Sequence, residues 1–288
     1  MYNIIKDYHD NEILRASFNT LAEKTFGLNF EDWYQNGFWG DKYNPYSIVI
    51  EDKVVANVSV NQTDFIINGQ LKHVLQLGTV MTDEAYRNQG LIRQIMEEIS
   101  CDYDGKVDGI YLFAGDDVLD FYPKFGFRKQ NEYQYSMQIS NFGTCQFEKR
   151  LMADSDAWQN LQTAMKKNIF HGKCDMVNNP ELIMFYVTKF LQENVYYHAD
   201  SDTYIIANMK DDSVFIEAVF SSTLTDIHAV IALLGETIKT VTLGFTPNDA
   251  NGFTITEIPA EDCTFFIKGE TLEVIEREQL RIPSLSHA

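Results

Sequence analysis

Basic residues, cysteines and long apolar runs are all scarce in this chain, and each shortage excludes something. Lys and Arg number 23 against 42 Asp and Glu, a formal net charge of −19 over 288 residues. Phosphate backbones are bound through clustered positive charge, so the balance argues against nucleic acid as a partner. Four cysteines, Cys101, Cys145, Cys174 and Cys263, lie far apart with no Cys-x-x-Cys pair. That distribution argues against a disulfide framework or a zinc site and predicts free thiols in a reducing compartment. The histidines His9, His171, His198, His228 and His287 show no ligand spacing, so no metal is expected. No apolar stretch approaches the roughly eighteen residues of a membrane span, and no membrane partner is expected. The opening MYNIIKDYHDNEILR has neither a basic start nor an unbroken apolar segment, which predicts a cytoplasmic protein without a secretory signal.

What is present is apolar bulk: 45% hydrophobic residues, with 20 Phe and 15 Tyr. Such a composition predicts a well-packed globular protein, and the length predicts two cores. The acidic excess runs through both halves. It serves solubility, and it also draws a cationic amine towards an acidic cleft; the two roles are compatible.

The most informative stretch is Val80 to Arg93, VMTDEAYRNQGLIR. It leads from an apolar strand ending through a polar turn into the amphipathic pattern GLIRQIMEEIS. At the join stand Arg87, Asn88, Gln89 and Gly90. A glycine turn opening a helix leaves several backbone N–H groups without helical acceptors, at the positive end of the helix dipole. Leu91, Ile92 and Arg93 supply those first amides, which suit a pyrophosphate. Gly90 allows close approach of a phosphate, and Arg87 and Arg93 add charge-assisted donors. The same tetrapeptide would also serve as an ordinary exposed turn. Further along comes Asp120-Phe121-Tyr122-Pro123-Lys124-Phe125-Gly126-Phe127.

These two motifs, in this order and separation, resemble the GNAT superfamily of acetyl-coenzyme A-dependent N-acetyltransferases. The family turn reads Gln/Arg-x-x-Gly-x-Gly/Ala, and this chain departs from it at Ile92. The variant Arg-x-x-Gly-Leu-Ile-Arg resembles the enhanced-intracellular-survival-type branch, here without the third, sterol-carrier-like domain of longer members. The resemblance covers about residues 45 to 140.

Along the chain, residues 11–26 have helical spacing, and FEDWYQNGFWGDKYNP is short helix or irregular. Its Trp33, Tyr34, Phe38 and Trp39 either stack on a substrate or cap the sheet. Strands are predicted over 46–51, 54–67 and 70–81, with Asn68-Gly69 as a two-residue hairpin turn. A helix over 90–103, a strand over 109–115, a short helix over 118–124 and a strand over 128–140 complete the unit. The predicted fold is α/β (α+β): a mixed, mostly antiparallel GNAT-type sheet flanked by helices, with a boundary at Asn141–Cys145. Residues 1–144 form the acetyl-coenzyme A-binding domain and 145–288 a degenerate GNAT-like one. In the second, Ser-Thr-Leu-Thr-Asp stands where the phosphate turn would fall, so no cofactor binding is expected there.

The resemblance implies acetyl-CoA as co-substrate, with Val80, Met81 and Thr82 pairing with the pantetheine arm. A backbone N–H at Met81 or Thr82 then meets the thioester oxygen. It implies Tyr122 as general acid towards the leaving thiolate. Asp116 and Asp117 fall where the family holds pantetheine or a water; they also suit a helix cap. No single carboxylate among Asp83, Glu84, Asp116 and Asp117 stands out as base, and His73 reads as a core or sheet-face residue. The expected activity is direct acetyl transfer to a primary amine of a small molecule. Transfer to a protein lysine or N-terminus and a non-catalytic coenzyme A-sensing module are the alternatives, and a homo-oligomer is left open.

Overall fold

The computed structural model describes residues 2–260 and 263–287. In the first half come β1 (Ile4–Ile5), α1 (Glu12–Phe26), α2 (Glu31–Gln35), β2 (Tyr43–Ile50), β3 (Lys53–Ile67), β4 (Gln70–Thr82), α3 (Leu91–Asp102), β5 (Gly109–Ala114), β6 (Arg128–Lys129) and β7 (Tyr133–Gln138). The second half adds β8 (Glu148–Arg150), α4 (Ser155–Lys166), β9 (Cys174–Val177), α5 (Pro180–Lys189), β10 (Val195–His198), β11 (Thr203–Lys210) and β12 (Ser213–Ser221). It closes with α6 (Ile227–Ala232), β13 (Thr240–Leu243), β14 (Thr254–Glu257), β15 (Thr264–Lys268) and α7 (Val274–Arg277).

Two mostly antiparallel sheets result. The first runs β1-β2-β3-β4-β5-β15-β6, with β9 on β3; the second runs β14-β7-β13-β12-β11-β10-β8. Among the described residues only β4–β5 and β12–β13 pair in parallel. Asn68 and Gly69 both adopt positive φ, 50° and 76°, as the two-residue hairpin requires. Helix α1 begins where the Asn11 side chain accepts from Leu14 N–H and ends at Gly27 in the left-handed region. Helix α3 turns Leu91, Ile95, Met96 and Ile99 onto one face of the first sheet, against Val58, Val60, Leu75, Leu77 and Leu112. Burial of each such side chain contributes roughly 1.5–3 kcal/mol as an upper bound. On the other face lie Phe18, Phe30, Trp33, Phe38, Trp39 and Tyr43, joined by Phe185 of α5. Trp33, Phe38 and Trp39 are therefore buried and cap the sheet. Tyr34 is half-buried under the Arg15 guanidinium, 3.7 Å from the ring centre.

Three readings of the sequence need correction. The short helix expected over 118–124 is a pair of 3₁₀ turns, Asp116–Val118 and Tyr122–Phe125, because Pro123 and Gly126 interrupt any longer run. The predicted strand over 128–140 is split: Arg128–Lys129 stays in the first sheet, whereas β7 pairs with β13 and β14 in the second. In exchange, β15 pairs with β5. Each sheet is thus completed by a strand from the other half of the sequence. The run 180–195, PELIMFYVTKFLQENV, reads as one helix from its residues, whereas the helix stops at Lys189 and gives way to β10. In the second half, Asp226 caps α6 where the first half has its glycine turn.

Candidate functional site

The parallel pairing of β4 with β5 runs only from Val74↔Gly109 to Leu77↔Leu112. Beyond it the two strands part, and β5 turns its other edge to β15. At the opening β4 bulges: Asn57↔Met81 and Ser59↔Gly78 are in register, so Thr79 and Val80 together oppose Val58. Thr79 has φ +45°, an unusual conformation for a β-branched residue. Val80 and Thr82 are partly exposed and Met81 is buried.

The chain then reaches the glycine turn. Asp83 accepts from Ala85 N–H at 3.1 Å and pairs with Lys53 at 2.6 Å. The Lys53 ammonium holds the Asp83 carboxyl below its usual range, so Asp83 is committed to this turn. Arg87, Asn88, Gln89 and Gly90 are exposed. Gly90 has φ +74°, and the space where a Cβ would stand is open. It begins α3 without any side-chain cap, so the leading amides of Leu91, Ile92 and Arg93 are left to an external acceptor. The Leu91 side chain is buried and Ile92 half-buried against the core; what they offer to the turn is backbone. The Arg93 guanidinium lies 5.9 Å from the centre of the Phe125 ring, next to the second motif.

That motif places Tyr122 at 4% exposure, with its ring against Phe121, Phe127 and Phe266. Burial, with a smaller contribution from Cys263, pushes its hydroxyl up to about 12. The phenol therefore stays protonated throughout the working range. Asp116 is exposed; the side chain of Asp117 lies outside the described residues. His73 is exposed at the distal end of β4 and bonds Asp64 at 2.7 Å. Glu84 faces Lys24 at 3.7 Å. An uncapped helix start, an opened sheet edge and a buried phenol thus meet around one apolar core, which holds Val80, Leu91, Ile92 and Tyr122. The geometry suits a diphosphate, an extended amide-bearing arm and a leaving group that takes up a proton.

The family model for the acetyltransferase (GNAT) domain matches residues 11–129. That stretch is similar to an acetyltransferase (GNAT) domain. Solved structures share the fold over nearly the whole chain. A conserved Enterococcus faecalis protein described as a probable N-acyltransferase has TM-score 0.62 and 14% identity, covering 93% of this chain and 72% of that one. Eis1 from Mycobacterium abscessus has TM-score 0.58 and 12% identity, covering 95% and 75%. A GCN5-related N-acetyltransferase from Kribbella flavida has TM-score 0.54 and 17% identity, covering 92% and 71%. At such identities the likeness is one of fold. No curated protein sequence matches the chain.

Two features around the GNAT-like domain carry no signal in the sequence. His287 is half-buried and stacks on Phe113 of β5 at 3.7 Å between ring centres, beside the strand opening. Burial lowers its pKa to about 3, so it is neutral there. A cavity of about 680 Å³ lies between the halves, lined by residues that include His171, Asp175, Glu181, Ile183, Glu217 and Leu285. Ile66 and Leu71 bring the hairpin end of β3 and β4 to its wall. Asp175 bonds His171 at 3.1 Å, and Glu181 has a buried carboxylate oxygen without a hydrogen-bond partner among the described residues. Among those residues no helix is long and apolar enough to cross a membrane.

Proposed function

We propose that the protein transfers the acetyl group of acetyl-CoA directly to a primary amine of a small molecule. The observation that carries this reading is that the uncapped α3 start at Gly90, the β4 bulge at Val80 and the ring of Tyr122 are gathered around one core. Acetyl-CoA supplies the thioester. Gly90, Asn88, Gln89 and the α3 amides would bind its diphosphate, with Arg87 and Arg93 adding charge. Val80–Thr82 would pair with the pantetheine arm, and Tyr122 would donate a proton to the departing thiolate. Burial of the phenol favours this role, since a neutral hydroxyl keeps its proton until the sulfur develops charge. The cavity supports a small acceptor: Asp175, Glu181 and Glu217 give it acidic walls, and its volume lies in the range of small-molecule sites.

Calorimetric titration with acetyl-CoA, followed by a screen of amines for thiol release, tests the reading. Binding with release on diamines or amino sugars is expected. Binding without turnover on any amine would leave a coenzyme A-sensing module, and turnover only on peptides would leave a protein acetyltransferase.

A further inference from the structure

Asn57, on β3, is fully buried opposite the bulge. Its amide group donates to Thr79 C=O at 2.9 Å and to Ser59 Oγ at 2.9 Å. Its carbonyl accepts from Ser47 Oγ at 2.8 Å, and Ser47 in turn meets the Tyr8 hydroxyl at 2.6 Å. Ser47 and Ser59 are equally buried and Tyr8 is nearly so. Tyr43 bonds the Thr79 hydroxyl from the same side. A polar chain of this kind inside an apolar sheet is costly unless it is satisfied. What it fixes is one peptide, Thr79–Val80, at the only place where the β3–β4 register slips.

A trans peptide points its C=O and N–H in opposite directions. With Thr79 C=O drawn to Asn57, Val80 N–H is turned away from the Tyr8–Ser47–Asn57 side. Across the sheet from that side lies α3, with Val58 and Leu91 in its core. The bulge thereby turns this one N–H away from the Asn57 side, at the start of the strand opening.

We propose that Asn57 is a positioning residue for acyl transfer: by holding Thr79 C=O it aims Val80 N–H at the carbonyl oxygen of the thioester. This rests on the acetyl-CoA reading above and selects Val80 as the donor in place of Met81 or Thr82. Regular alternation along β4 supports the choice against Met81, because Asp83 N–H is already given to Val55 C=O and Met81 shares that side. A correctly placed donor of this type strengthens as charge develops on the oxygen, so its loss falls on turnover rather than on binding.

The test is isotope-edited infrared spectroscopy of [1-¹³C]acetyl-CoA bound to the wild type and to Asn57→Ala, with calorimetry on coenzyme A lacking the acetyl group. The wild type is expected to lower the carbonyl stretching frequency. In N57A the band returns towards its free position and kcat falls about 10- to 100-fold, while coenzyme A affinity stays within about twofold. An unchanged band and kcat in N57A, with coenzyme A still bound, would overturn the role of Asn57 and leave the acetyltransferase reading standing. Failure of the wild type to bind coenzyme A would instead remove both. If N57A does not fold, the amide signal of Val80 in ¹⁵N-valine-labelled wild type decides. It should differ between the acetyl-CoA and coenzyme A complexes, and identical positions would refute the proposal.

Discussion

Trp33 donates its indole N–H to the main-chain carbonyl of Glu181 at 2.9 Å, across 148 residues of sequence. The ring of Phe30 stacks on Phe185 at 5.2 Å in the same seam. With β7 and β15 exchanged between the sheets, these contacts make the halves one folding unit.

The first expectation follows directly. Calorimetry on the whole chain should show one cooperative transition, with calorimetric and van't Hoff enthalpies close to equal. A fragment of residues 1–144 should be poorly soluble and lack a sharp transition, because the edge of β5 loses Thr264–Lys268 and with it Phe265, Phe266 and Ile267. Two separate transitions in the full chain would contradict the interlock.

At the glycine turn, Gly90→Ala places a Cβ on a residue at φ +74°. The space is open, so the cost is conformational, about 1 kcal/mol in stability. Coenzyme A affinity should drop at least tenfold as the turn relaxes. Arg87→Glu should weaken binding with no loss of melting temperature, since Arg87 is exposed and makes only a 3.4 Å contact to Thr82 C=O. Calorimetric affinities beside thermal melts separate the two effects.

Tyr122→Phe keeps the ring among Phe121, Phe127 and Phe266 and removes only the hydroxyl. Turnover should fall by roughly two orders of magnitude, the scale of general acid catalysis, with acetyl-CoA affinity unchanged. With the wild-type phenol held at about 12, no loss of rate from its ionisation should appear below pH 10. Equal activity of the two proteins would take Tyr122 out of the chemistry.

Burial pushes the carboxyl of Glu132 up to about 7, against the pull of Arg281 and the Ile282 N–H that it accepts. The folded state therefore holds this proton more tightly than the unfolded chain does. Its stabilising share is complete below about pH 4.5, declines as pH rises to about 7, and is gone above that, for a total of at most about 3 kcal/mol. Between pH 5 and 8 the wild type should lose several degrees of melting temperature more than Glu132→Gln. Parallel curves for the two proteins would show that Glu132 titrates normally.

The local elements were legible in the residues because each has a local cause. Asn68-Gly69 has the two positive φ values of a hairpin, Gly90 has the one that starts α3, and the apolar period of Leu91, Ile95 and Ile99 picks the buried face. Partner choice was not legible. The alternation in Tyr133–Gln138 says strand but does not say which sheet, and Thr264–Lys268 carries the same apolar pattern as any buried strand. Nor does spacing reveal that His287 reaches Phe113, or that His171, Asp175, Glu181 and Glu217 face one cavity; those are consequences of tertiary packing alone. The bulge falls between these cases. Val80 is named as cofactor-binding from the family pattern but Thr79 is not, and the Asn57–Thr79 bond that shapes the bulge spans two strands and leaves no mark on either.

Strand β15 also sets a timetable for biosynthesis. On the ribosome, β5 emerges long before Thr264–Lys268, so the nascent first sheet waits with an uncovered margin for on the order of ten seconds. Phe113, whose neighbours Phe265 and His287 come from the end of the chain, lies on that margin. Chaperone capture during translation should therefore centre on this aromatic strand and cease once Thr264–Lys268 has emerged and paired with it.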